Sequence, residues 1–318
     1  MDNELDNELD NVLETTIQVY LAQMDSAMKV SDLLAKHDNA EEITVDHIIG
    51  GLVFRLMTPM TNEELAESIS AAKQIMEKLC PTIIMLLWDF TKVKGTKGNI
   101  LLKRSNIFFK NKFFPYAKLN YTKNLLKKNS TDSAIIFKSE NGYKTKLSWK
   151  KLNINVTKLS QWMNSAGVKK SDRVAAYLPN IPETVIAYLG TAKIGAIWSS
   201  CSPDFGTSAV VDRFSQIKPK ILFIGDKYFY NGKKINILER LPEIIKKLPS
   251  LKKIVIISYP GTKLEEITNI KNIIKWDDLL NFKYKENINY EMFNFNDPLA
   301  ILYSSGTTGK PKCICHGT

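Results

Sequence analysis

Residues Tyr303–Lys312 read YSSGTTGKPK. Ser304, Ser305, Thr307 and Thr308 each carry a hydroxyl that can donate a hydrogen bond. Gly306 and Gly309 can adopt positive φ, which lets neighbouring backbone N–H groups converge on one anion. Lys310 and Lys312 supply positive charge, and Pro311 stiffens the turn between them. A donor set this dense suits a triphosphate. Ser304, Ser305, Gly306, Thr307, Thr308 and Gly309 would form a phosphate cradle, with Lys310 and Lys312 supplying charge. A polar hairpin loop is the plainer reading of Gly, Ser and Thr. The run follows directly on an apolar strand, Leu299–Tyr303, and that placement favours the phosphate reading. The spacing fits neither a Walker loop, which needs G-x-x-x-x-G-K-[ST], nor a Rossmann G-x-G-x-x-G.

Other residue types narrow the chemistry. Cys80, Cys201, Cys313 and Cys315 are the only cysteines, too few and too unevenly spaced for a disulfide framework. Cys313-Ile314-Cys315-His316 invites a metal, but no second Cys/His pair stands at zinc-site spacing and the chain holds three histidines. These read as ordinary thiols of a reducing cytoplasm, and no residue is assigned to a metal. The formal net charge is +11, made unevenly: residues 1–90 carry 17 acidic and 5 basic side chains, and residues 91–318 carry 16 and 39. The basic residues are mostly Lys, scattered along the chain, whereas Arg is the residue that reads bases and forks onto phosphate. Nucleic acid is not expected as a partner. The longest apolar run, Ile83–Trp88, is too short to span a bilayer, and the acidic N-terminus is unlike a signal peptide.

The elements that must position the loop follow from periodicity and punctuation. DNEL occurs twice in the first ten residues. From Val12 to Lys36 the apolar residues Val12, Leu13, Ile17, Tyr20, Leu21, Met24 and Met28 form one helical stripe. A second helix is predicted over Val45–Met57, and a third from Thr61, where Glu64 completes a capping box, to Leu79 before Pro81. Residues 1–82 thus read as an acidic all-α segment, a packed bundle or a docking surface for a protein partner. Further on, Ala134–Lys138 and Tyr143–Leu147 are strands about an Asn141-Gly142 turn. Ser148 caps a helix that Gly167 stops. Arg173–Leu178, Ala196–Ser199, Lys220–Ile224 and Lys253–Ser258 read as strands. Helices opening at Pro182, Gly206 and Asn236 lie between them, the last running to Leu248. This alternation predicts an α/β fold with a mainly parallel sheet flanked by helices.

With those elements in place, the loop resembles the phosphate-loop signature of the adenylate-forming enzymes. Within that superfamily, GAIWSSCSPDFG (Gly195–Gly206), DRFSQIKPKILF (Asp212–Phe223), YLPNIPETVIA (Tyr177–Ala187), YNGKKINI (Tyr230–Ile237), FFPYAKLNYTKNLL (Phe113–Leu126) and LLWDFTKVKG (Leu86–Gly95) are similar to the acetoacetyl-CoA synthetase family. The resemblance begins near Leu86. It divides the chain into a foreign segment 1–82, an N-terminal synthetase region 83–132, and an AMP-binding domain 133–318 that ends just after the loop. Cys313 stands where many members have glycine.

The resemblance implies an acetoacetate–CoA ligase that uses ATP, Mg2+ and CoA and passes through an acyl-adenylate. It implies that Lys310 and Lys312 serve catalysis, and that Tyr230, Gly232 and Lys233 face the nucleotide end of CoA, a plain basic turn being the other reading. It also implies further family motifs beyond Thr318, without which residues 1–318 would not turn over. A ligase for another short acid, and a non-catalytic helical interaction protein fused to a ligase remnant, are the alternatives.

Overall fold

The computed structural model describes residues 85, 88–106, 110–265, 270, 272–286, 290–304 and 310–317. The three helices expected before Pro81 lie outside the described residues. The chain divides into two units at Leu87/Trp88, and the fold below is that of the second.

Its centre is a seven-stranded sheet. In chain order the strands are β7 (Arg173–Tyr177), β8 (Ile197–Cys201), β9 (Ile221–Gly225), β12 (Lys253–Ile257), β13 (Ile273–Lys275), β15 (Pro298–Ser304) and β16 (Lys312–Gly317). In space the order is β13-β12-β9-β7-β8-β15-β16. Every neighbouring pair from β13 to β15 is parallel, and β16 runs antiparallel to β15. Ile221-Leu222-Phe223-Ile224 and Ile254-Val255-Ile256-Ile257 are apolar without interruption and buried throughout, as befits parallel strands covered on both faces.

Three helices make the crossovers: α3 (Pro182–Lys193), α4 (Thr207–Ile217) and α5 (Leu241–Lys247). From β7 the chain moves to one side, through α3 to β8, and then to the other, through α4 to β9 and α5 to β12. Right-handed crossovers put α3 on one face of the sheet and α4 and α5 on the other. Helix α2 (Trp149–Ser165) packs on α3, and α6 (Trp276–Leu280) on α2. An aromatic chain crosses this layer from Tyr188 through Trp198 and Phe223 to Trp276, with ring centroids 5.9, 6.4 and 6.3 Å apart. Trp198 therefore belongs to the core.

Local chemistry sets the boundaries. Ser148 Oγ accepts from Lys151 N at 3.2 Å and caps α2, while Gly167, at φ +82°, lets the chain leave it. Pro182 occupies the first turn of α3, where a missing N–H costs nothing. The helix expected from Asn236 does not form there. Asn236 ends β11 (Lys233–Asn236), its side chain accepts from Leu238 N at 2.9 Å, and a 3-10 turn over Leu238–Arg240 precedes α5. Pro242 is the reason: it lacks an N–H and fits only a first turn, so the α-helix begins at Leu241.

Residues 88–106 and 110–132 pack onto the same body. Strands β1 (Gly95–Thr96) and β4 (Lys118–Leu119) join β14 (Phe293–Asn294) in a small antiparallel sheet, and β2 (Leu102–Lys103) pairs with β3 (Lys112–Phe113). Asn120, fully buried, caps α1 (Tyr121–Leu125) and donates to the carbonyls of Lys193 and Glu291, both at 2.9 Å. Strands β5 (Ser133–Lys138) and β6 (Lys144–Ser148) form a separate hairpin, as does β10 (Lys227–Tyr230) with β11.

Candidate functional site

Parallel strands all present their carboxyl ends on one edge of a sheet, and open α/β sheets place ligands there. On that edge β7 ends at Tyr177, β8 at Cys201, β9 at Gly225 and β15 at Ser304. Ser304 therefore stands where the sequence expects a phosphate cradle to begin. Its register partner is Lys312, the first residue of β16. Ser305, Gly306, Thr307, Thr308 and Gly309 lie outside the described residues. Lys310 and Lys312 are exposed. Among the described residues no carboxylate comes within ion-pair distance of either ammonium.

Helix α4 lies beside both stems of this loop. Its buried face, Val210, Phe214 and Ile217, holds it to the sheet. On the incoming stem, Tyr303 Oη donates to the Arg213 carbonyl at 3.2 Å and stands 3.1 Å from Ser199 Oγ. The Arg213 guanidinium lies 4.3 Å from the centroid of Phe205 and 5.8 Å from that of Tyr303. Burial pushes the Tyr303 phenol well above its ordinary pKa, so it remains a neutral donor. On the outgoing stem, Gln216 Nε2 donates to the Pro311 carbonyl at 3.0 Å, and Cys313 Sγ donates to Gln216 Oε1 at 3.6 Å.

A second node lies where the strand order reverses, between the ends of β7 and β9. Arg240 Nη1 donates to Tyr177 Oη and to the carbonyls of Pro203 and Phe205, each of the latter at 3.0 Å. This fixes the turn after β8. Burial raises the pKa of Tyr177 against the pull of Arg240, so its hydroxyl keeps its proton and donates to the Pro203 carbonyl at 3.0 Å. Burial pushes the Cys201 thiol up to about 12, which makes it a poor nucleophile.

Tyr230, Gly232 and Lys233 form a third station. They surround the turn of the β10–β11 hairpin, where Asn231 and Gly232 both have positive φ, 50° and 72°, the signature of a type I′ turn. Tyr230 is 64% exposed and Lys233 is exposed. Asn231 N and Gly232 N donate to the Glu140 carboxylate at 3.3 and 3.4 Å. The base of the hairpin holds a buried ion pair with a half-exposed third member: Lys227 Nζ lies 3.2 Å from Asp226 Oδ2 and 2.7 Å from Glu265 Oε1. The hairpin leaves the sheet at β9, three strand positions from β15, or about 14 Å at normal strand spacing. The structure thus sets these three residues on the same edge as Ser304 and Lys312 but does not bring them together.

Arg213, Gln216, Tyr177 and Arg240 do not stand out in the sequence as site residues. One faint signal precedes them: Arg213 and Gln216 are three apart on a helix whose apolar face is offset from both, and so share a flank. Among the described residues no group of three His, Cys, Asp or Glu side chains could hold a metal ion. No helix among them is long and apolar enough to cross a membrane.

Comparison with known proteins matches residues 124–318 to the family described as AMP-binding enzyme. Acetoacetyl-coenzyme A synthetase of Rhizobium meliloti (strain 1021) is 39% identical over 230 residues, covering 72% of this chain and 35% of that protein. Acetoacetyl-CoA synthetase of Xenopus tropicalis is 39% identical over 239 residues, with the same 72% and 35%. The solved acetoacetyl-CoA synthetase from Streptomyces lividans aligns with a TM-score of 0.69 at 32% identity, over 78% of this chain and 38% of that chain. The chain spans about a third of the length of the curated relatives it matches.

Proposed function

This chain belongs to the AMP-binding enzyme family, and from that premise we propose that its residues serve an acetoacetate–CoA ligase. The acetoacetate carboxylate attacks the α-phosphate of ATP, a new P–O bond forms, and pyrophosphate leaves. The CoA thiol then attacks the acyl carbon of the adenylate, loses its proton, and releases AMP. Acetoacetate as the acid rests on the names of the relatives. The observation that carries the phosphate chemistry is the register of Ser304 opposite Lys312 at the carboxyl edge. It brings the two stems of the loop side by side, with two exposed lysines on the outgoing one.

Pyrophosphate departure concentrates negative charge, and fixed donors stabilise it at no reorganisation cost. Ser304 and the loop hydroxyls would bind the β- and γ-phosphates, and Lys310 and Lys312 would hold charge as the α–β bridging bond breaks. Mg2+ would arrive with the triphosphate, since it keeps several waters and is bound largely through phosphate oxygens. At the third station the turn amides already bind Glu140, so Tyr230 and Lys233 are the groups free to meet the nucleotide end of CoA. The unpaired cysteines among the described residues, Cys201, Cys313 and Cys315, accord with a cytoplasmic setting.

The test is acid-dependent release of AMP by the protein carrying this sequence, with Mg2+, ATP and CoA, over acetoacetate, acetate, butyrate and 3-hydroxybutyrate. Acetoacetate should give the highest kcat/KM, and Lys310→Ala with Lys312→Ala should lower it at least tenfold. AMP release that ignores the acid, or a clear preference for another acid, overturns the proposal.

A further inference from the structure

We propose that Gln216 is a positioning residue that sets Lys310 and Lys312 against the end of β15. The inference rests on the phosphate-binding role of those lysines and adds to it the device that places them. Gln216 is exposed, yet both ends of its amide are engaged. Nε2 donates to the Asp212 carbonyl at 2.8 Å and to the Pro311 carbonyl at 3.0 Å, and Oε1 accepts from Cys313 Sγ at 3.6 Å. The first of these bonds locks the side chain along its own helix. The other two reach β16 and the residue before it. The Pro311 carbonyl lies between the two lysines in the chain, so a bond there fixes the backbone of both.

The incoming stem is tied to the same helix, one turn earlier. Tyr303 Oη donates to the Arg213 carbonyl, and the Arg213 guanidinium packs over the Tyr303 ring. A single rigid element thus holds Tyr303, Pro311 and Cys313, the residues beside Ser304 and Lys312. Without Gln216, the hydrogen bonds left to β16 among the described residues would be its ladder with β15. An antiparallel edge pair is free to twist and fray from its open side. The spacing of Ser304 from the two ammonium groups would then no longer be fixed, and a site loses rate and affinity when its donors drift by about 1 Å.

The experiment uses Gln216→Met, which keeps the length and helix propensity of the side chain and removes every polar contact. Urea unfolding should be unchanged, because the residue is exposed. Amide exchange of β16, Lys312–Gly317, should quicken about fivefold, the size of one lost tether. MgATP affinity should fall about fivefold. Lys312→Ala should cost clearly less in the Gln216→Met background than in the wild type, because a misplaced lysine has less to lose. A residue with only a structural role would leave that cycle additive. Unchanged β16 exchange overturns the proposal, as does additivity in the cycle. If the wild-type protein binds no MgATP, the phosphate reading fails. The exchange measurement then still decides whether Gln216 holds this strand.

Discussion

Replacing Lys227 by Met should destabilise the protein by about 3 kcal/mol. The Lys227 side chain is 5% exposed and that of Asp226 0%. Removing one partner of a buried pair leaves the other charge without compensation, which costs about 3–5 kcal/mol. The lower end applies because Asp226 keeps two backbone donors, Tyr259 N at 2.9 Å and Glu265 N at 3.2 Å. With a urea m-value of about 3 kcal/mol/M, at the upper end of the usual range, the midpoint should move down by about 1 M. The pH dependence follows from both partners. Burial works against the Lys227 ammonium, but Glu265 and Asp226 outweigh it and raise its pKa. Its contribution is therefore complete below the unfolded value of about 10.4 and is lost as pH rises through the folded one. Hydrogen bonds from Lys227 and Lys234 lower the pKa of Glu265, so its contribution is present above about 4.3 and disappears as pH falls. The deficit of Lys227→Met should be largest between these limits. Asp226→Asn in the same chain should recover part of it, since the stranded charge is gone. A midpoint shift below about 0.3 M, or strictly additive effects of the two substitutions, would refute the account.

Three further outcomes follow from other positions. Lys193 is buried, donates to Thr157 Oγ1 at 2.7 Å and lies over the Tyr290 ring at 4.6 Å. Burial lowers its pKa to about 8. Between about 8 and 10.4 the unfolded chain holds a proton that the folded one lacks, so stability should rise with pH across that window. Lys193→Met should flatten that rise in urea midpoints measured at pH 7.5 and 10. Gly195 has φ +68°, and a Cβ there would stand 2.6 Å from Phe293 Cε1. Gly195→Ala should cost about 2–4 kcal/mol by thermal unfolding, the sum of backbone strain and overpacking. Cys201, with its thiol pushed up to about 12, should react with a maleimide at least tenfold more slowly than exposed Cys313 in the native protein; equal rates would show that β8 is open to solvent.

The parts of the fold legible in the sequence were those written in local chemistry. Ser148 and Gly167 bracket α2 because a cap and a left-handed exit need particular side chains within a few residues. Strands β9 and β12 show as apolar runs because both faces are buried. The β10–β11 hairpin was not legible as strands: Lys227, Lys233 and Lys234 break its alternation, and two of them, Lys227 and Lys234, are there to meet Glu265, a partner 38 and 31 positions away. Strand β16 hides for a similar reason, since all six of its residues are exposed and none shows a buried face. The candidate site divides the same way. Ser304 and Lys312 can be named from a ten-residue run. Arg213, Gln216 and Arg240 act through backbone carbonyls, which every residue has, so nothing in their own neighbourhood announces the contact.

The place of β15 in the sheet also sets an order in time. Strands β7, β8, β9 and β12 follow one another closely along the chain and can pair as they emerge. The partner that covers the other edge of β8 comes much later: Ser199 Oγ donates to the carbonyl of Ile301, 102 positions on. At ordinary rates of synthesis that interval is about 5–20 s. During it the edge of Ile197–Cys201 is an open row of amides and carbonyls, the kind of surface that recruits a wrong strand. The strand that ends at Ser304, where the candidate site begins, is thus also the one that closes this open edge of the nascent sheet.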